Sequence, residues 1–241
     1  MTLGDEFKSS GITEKTPESI LLGAGTIHKN LAFGYILTTE EPKNWDTEYQ
    51  NYYTKSDSDN SYTAISSPTP WKKDYAYKKG WNFAESLICA TSGGSKLAIT
   101  PELYDIPVDG ALVKVKGLTA KVGETATLDI NPIELTPDIL KTAVIGDESV
   151  SETATGYSEI RSRAQISEGD YVTGLGYVGK TLKGRPIIII FDNALCTSGL
   201  SLEGKNKEAA IPAFTFECHA DLGPEVDTLP WHIYYPTPAE G

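Results

Sequence analysis

From residue 80 to the C-terminus the chain is a succession of short strand-like runs separated by turn residues, a spacing that points to an all-β fold. The clearest run lies at 118–130. There Leu118, Ala120, Val122, Ala126, Leu128 and Ile130 keep even parity across Gly123, with Lys121, Glu124, Thr125, Thr127 and Asp129 interleaved. Side chains alternate between the two faces of a strand, so one face of this run is wet. In KLAITPELYDIPVDG, Leu97, Ile99 and Leu103 share one parity while Ile106 and Val108 take the other, and the switch predicts a bulge.

The last third continues the pattern. Residues 187–190 are four isoleucines with no polar alternation, which predicts a strand covered on both faces. Phe214, Phe216 and Cys218 face one way, and Thr215, Glu217 and His219 the other. Over 158–167, Ile160, Ala164 and Ile166 alternate with Glu159, Arg161, Arg163 and Gln165, giving a strand with an ionic face. That makes Glu159, Arg161 and Arg163 candidate subunit-interface residues, with an ordinary solvated face as the other reading.

One helix is expected at about 136–145. Thr136 is its N-cap, Pro137 its first residue and Asp138 sits near its positive end, while Ile139, Leu140, Ala143 and Val144 form one stripe before Gly146. Residues 1–19 are polar and aperiodic, an arm that orders only on a neighbour. The stretch 19–37 mixes β-branched, aromatic and glycine residues and reads as strand, glycine break, strand. Residues 38–80 hold few aliphatics but many Tyr, Asp and Lys; they are expected to form a long loop or insertion in a single domain over 20–241, without a core of their own.

Charge narrows the function classes. Thirty-three acids against 21 bases give a net charge of −12, which disfavours gripping nucleic acid or anionic membranes, since such binding needs clustered Lys and Arg. No run of about 18 apolar residues is present to span a bilayer, and residues 1–19 lack the apolar stretch of a secretory signal. Cys89, Cys196 and Cys218 show no disulfide or metal spacing; they read as small buried hydrophobes in a reducing compartment.

The motif that looks most chemical is GLGYVGKT. Gly174, Gly176, Gly179, Lys180 and Thr181 satisfy both a phosphate-loop and a dinucleotide pattern. Either pattern works only if a helix starts at the last glycine and offers its free N–H groups to phosphate. Here LKGRPIIII follows, so Gly184 and Pro186 stop any helix and a glycine-bearing hairpin is the better reading. His28, His219 and His232 are scattered, and Cys218 and His219, adjacent on a strand, point to opposite faces. No catalytic, cofactor or metal site is assigned.

The order of segments carries more than any motif. LLGAGTIHKNL, then GGSKLAITPELYDIPVDGALVKVKG, the helix region INPIELTPDILKTAVIG, and GRPIIIIFDNALCTSGLSLEGKNKEAAIPAFTFECHAD with its closing WHIYYP together resemble the major tail (tail tube) protein family of long-tailed bacteriophages. The resemblance spans roughly residues 20–236, with the GAGT turn, the VDGA turn and the isoleucine-rich strand before FDNAL weighing most. Residues 38–80 depart from the family's compact pattern.

The resemblance implies a non-enzymatic virion protein, an antiparallel β-sandwich or barrel flanked by one helix. Six copies would close a ring, and stacked rings would form the tube through which DNA leaves the capsid. It also implies partners: the chain itself, a tape measure protein, a tail terminator and double-stranded DNA as non-specific cargo, with no membrane and no cofactor. Assembly would take place in the host cytoplasm. At −12 per chain, a lumen of such rings would repel phosphates instead of holding them. Two rival readings remain: a β-sandwich carbohydrate-binding adhesin using Trp45, Trp71 and Trp81, and a nucleotide enzyme built on residues 174–181.

Overall fold

Antiparallel strands dominate the regular structure, 43% of residues against 11% in helices. The computed structural model describes residues 16, 20–67, 69–110, 112–207, 209–223 and 228–237. The expected N-terminal arm therefore lies, apart from Thr16, outside the described residues. In chain order the strands are β1 Leu21–His28, β2 Phe33–Leu37, β3 Tyr52–Lys55, β4 Tyr62–Ala64, β5 Tyr77–Trp81, β6 Leu87–Cys89, β7 Lys96–Asp105, β8 Thr119–Ile130, β9 Gly146–Val150, β10 Ser158–Ser162, β11 Val172–Thr181, β12 Pro186–Cys196, β13 Phe214–Cys218 and β14 Trp231–Tyr234. The chain divides into two compact units, Leu31–Leu87 and the remainder.

The larger unit is built on one eight-stranded antiparallel sheet in the order β6-β1-β11-β12-β13-β8-β7. A mainly β, antiparallel fold agrees with the expectation, and the sheet forks at β12. Residues 188–191 of β12 pair with β14, and residues 194–196 pair with β13. Its other edge runs along β11 from Lys180↔Pro186 to Val172↔Ala194. The isoleucine run explains this central place. Ile189 and Phe191 join the main core cluster with Leu175 and Tyr177, while Ile188 and Ile190 are buried outside that cluster. Both sides of β12 are thus out of water, as the missing polar alternation predicts. Phe191 and Phe214 are almost wholly enclosed, and truncating either to Ala costs about 3–5 kcal/mol.

β8 follows its parity only in part. Ala126, Leu128 and Ile130 are core residues, but Val122 is exposed. The register shows why: Glu102 pairs with Gly123 and Leu103 with Lys121, so Val122 is the extra residue of a bulge and leaves the alternation. The bulge expected in the 97–108 run, between Leu103 and Ile106, is not there; the one observed lies at Val122 on the partner strand, opposite the Glu102–Leu103 step.

The helix Pro137–Val144 has Thr136 as its cap, the hydroxyl accepting the Ile139 N–H at 3.3 Å. Ile139 and Ala143 enter the core, and Lys29 pairs with Asp138 at the helix start. The left-handed terminating residue is Ile145 (φ 52°), one position before the glycine. Gly146 serves another purpose, because a Cβ there would lie 2.5 Å from the Arg161 carbonyl across the β9–β10 ribbon. Glycines 23 and 25 do not separate two strands as expected; they form a register shift inside β1, and a Cβ on Gly25 would strike the Tyr177 ring at 2.4 Å.

The smaller unit corrects the expectation for residues 38–80. It has its own four-stranded sheet, β2-β5-β3-β4, and its own core of Trp45, Tyr52, Ile65 and Ala76, against which Tyr49, Trp71 and Tyr75 pack. Aromatic rings bury enough surface to replace the missing aliphatics. The Trp45 indole N–H also donates to the Thr69 carbonyl at 2.7 Å. At the β3–β4 turn, the hydroxyl of Ser56 and the N–H and hydroxyl of Ser61 hold the Asp59 carboxyl down at about 2.

Candidate assembly surface

β7 lies at one end of the sheet order, so among the described residues one side of its backbone has no neighbouring strand. A free edge invites another strand unless something blunts it. Pro101, which has no N–H, sits in this edge strand, where its missing donor is tolerated. Beyond it the hairpin becomes apolar and exposed. Leu103, Tyr104, Ile106 and Val108 are exposed on the outgoing side, and Val115 and Val122 on the return. At the tip Leu112 is 98% and Val113 77% accessible. Together with Leu118 the tip encloses an open hollow of about 290 Å³.

Polar contacts hold the base of this hairpin. The Asp105 carboxylate pairs with Lys114 at 2.5 Å and accepts the Thr119 hydroxyl at 2.6 Å, and these two partners keep its pKa below the usual range. The Ile106 N–H donates to the Leu118 carbonyl at 2.8 Å. Ile106, Val108, Leu112, Val113 and Val115 line the hollow together, and clustered exposed apolar residues mark sites of association.

The three residues expected at an interface are separated by the structure. Glu159 and Arg161 lie on β10 and pair with each other at 3.0 Å. Arg163 lies beyond the strand, which stops at Ser162 and not at 167 as expected. Its guanidinium donates to Asp147 at 2.6 Å, to the Gln165 carbonyl and the Ser167 hydroxyl at 2.9 Å each, and to Asp170. Asp170 is buried, which opposes its ionisation, but the Ser167 N–H at 2.6 Å, Arg163 and the Ser167 hydroxyl outweigh that and lower its pKa. Arg163 thus anchors the turn leading into β11. Its departure from the strand leaves Ala164 and Ile166 exposed, not on an apolar face.

Residues 174–181 lie within β11, and the chain returns through a tight turn into β12. Thr181 accepts the Gly184 N–H at 2.7 Å, and Lys180 stands opposite Pro186. At Gly179 a Cβ would sit 2.6 Å from the Leu21 side chain, which would have to move to admit it. Gly174 has φ +57°, and Gly176 pairs with Ile190. The ladder therefore occupies the backbone here.

Trp45 and Trp71 come together with ring centroids 5.2 Å apart, but Trp45 is 5% exposed and belongs to a core. Trp81 packs instead on Phe33 and Phe83. All three cysteines are buried, and burial, with Asp192 and Glu124 nearby, pushes the Cys218 thiol up to about 12. His219 sits edge-on to Tyr171 at 5.6 Å, and His232 meets Asp192 at 3.1 Å.

Among the described residues no group of three or more His, Cys, Asp or Glu is placed to hold a metal ion. No helix among them is long and apolar enough to cross a membrane. The exposed tip was not singled out from sequence, although the parity break between Leu103 and Ile106 marks where it begins. Comparison with protein-family models and with curated proteins gives no match.

Proposed function

We propose that this chain is a non-enzymatic virion structural protein whose copies close into six-membered rings and stack into a phage tail tube. The observation that carries the reading is the β7–β8 hairpin, an edge strand continued by an exposed apolar tip centred on Leu112 and Val113. Water disfavours such a surface, and a second subunit removes it from water. Head-to-tail contacts close into a ring when the rotation fits, and a surface that reaches past the ring then propagates stacking.

The remaining features fit this use. The excess of acids makes a lumen on which DNA slides. Unlimited stacking needs a length-setting partner and a terminator, and the tube's cargo is double-stranded DNA bound without sequence preference. The protein works in the virion tail after assembly in the host cytoplasm. Negative-stain electron microscopy of concentrated protein tests the reading through the presence of rings or tubes. A chain that stays monomeric at high concentration contradicts it.

A further inference from the structure

The two faces of the smaller unit's sheet differ in kind. One packs on Trp45, and the other carries rings that remain half open to solvent. The register places Tyr35 opposite Lys79, Tyr53 opposite Tyr77 and Tyr62 opposite Lys55, so these side chains share that second face. Ring contacts agree with the register. Tyr35 stacks on Tyr62 with centroids 4.0 Å apart and an interplanar angle of 7°, and it meets Tyr53 edge-on at 4.8 Å. Tyr62 in turn meets Tyr77 at 5.1 Å.

At the other end of the face the exposed Phe33 packs on Trp81 at 5.3 Å. The Lys79 ammonium lies 5.9 Å from both the Phe33 and the Tyr35 ring centres. No position that the register puts on this face is acidic, in a chain with 33 acids and 21 bases. The nearest acids in sequence, Glu40, Asp57, Asp59 and Asp74, all lie outside the strands, and Asp59 is engaged by Ser61.

We infer that this face binds a glycan bearing sparse carboxylates, with Phe33 and the tyrosines contacting sugar rings and Lys55 and Lys79 meeting the carboxylates. Tyrosine combines an apolar ring with a hydroxyl that can donate or accept, which matches the alternation of C–H and O–H on a sugar. The hydroxyls of Tyr35, Tyr53, Tyr62 and Tyr77 make no hydrogen bond among the described residues. Lysine is depleted from the centres of protein–protein interfaces, yet Lys79 sits in the middle of this face. Single-stranded nucleic acid fits less well. Its affinity needs many cations and open ring faces, whereas here two lysines serve and Tyr35 and Tyr62 cover one another. The inference concerns the smaller unit alone and holds whether or not the chain forms rings.

The test is affinity electrophoresis of the full chain through gels containing alginate esterified at most of its uronates, which leaves sparse carboxylates, or dextran, a neutral glucan, with an oligothymidylate titration alongside. Expected is retardation by alginate that weakens about tenfold in apparent Kd for Lys55→Gln/Lys79→Gln and falls with added salt, with dextran binding weaker. Phe33→Ala, which changes an exposed ring, reports on stacking and is expected to weaken retardation by alginate and by dextran alike. Unchanged melting temperatures show that the variants are folded; should the lysine pair fail that check, Phe33→Ala and the salt series decide. No retardation by alginate, variants that bind like the parent, or tighter binding of the oligothymidylate would each overturn the inference.

Discussion

Trp231 donates its indole N–H to the Glu124 carboxylate at 2.5 Å, joining β14 to β8 across 107 positions of sequence. Lys121 pairs with the same carboxylate. Because β14 pairs with β12 in the sheet, this contact is a second anchor for that strand. Trp231→Phe keeps an aromatic ring but removes the donor and part of the surface packed on the core, and it is expected to cost at least about 1–2 kcal/mol in urea unfolding. An unchanged midpoint would show that the bond contributes nothing.

Acid should loosen the turn before β11. Asp170 is held ionised by Ser167 and Arg163, and its folded-state pKa is lowered. A lowered carboxylate pKa gives stability that is present above the unfolded value and lost as pH falls through the folded one. Asp170→Asn is therefore expected to be less stable than the parent at pH 7. The gap closes at pH values below the ordinary carboxylate range, as thermal melts across pH will show.

Two glycines of β1 should respond differently to alanine. Both have positive φ, so each substitution meets backbone strain of about 1 kcal/mol or more. At Gly23 the added Cβ finds nothing within 4 Å, whereas at Gly25 it meets the Tyr177 ring at 2.4 Å. Gly25→Ala should lower the melting temperature distinctly more than Gly23→Ala.

Lys180 lies on a strand whose backbone is committed to its neighbours. Magnesium-ATP is accordingly expected to leave the melting temperature of the parent and of Lys180→Ala unchanged. A rise in the parent that Lys180→Ala abolishes would restore the nucleotide reading.

Much of the larger unit was legible because its determinants are local. Thr136, Pro137 and Asp138 specify a helix start by capping chemistry alone, and the four isoleucines specify a strand with two dry faces. What escaped depends on partners distant in sequence. The place of Val122 is set by the register against Leu103, and the direction of Arg163 by Asp147 and Asp170. The core of the smaller unit was hidden by an assumption about composition: Trp45, Tyr52 and Tyr75 are polar enough to suggest a loop, yet together they exclude water as aliphatics would. The exposed apolar hairpin was legible only as a change of parity. Whether an apolar residue such as Leu112 lies inside or outside is a tertiary fact.

Self-association through the hairpin is tested most directly by imaging concentrated parent protein and the Leu112→Asp/Val113→Asp variant side by side by negative-stain electron microscopy. Both residues are exposed, so the variant should melt at the parent's temperature. The account predicts six-fold rings or tubes for the parent and dispersed single subunits for the variant. A parent that remains dispersed at high concentration, or a variant that assembles as well as the parent, would contradict it.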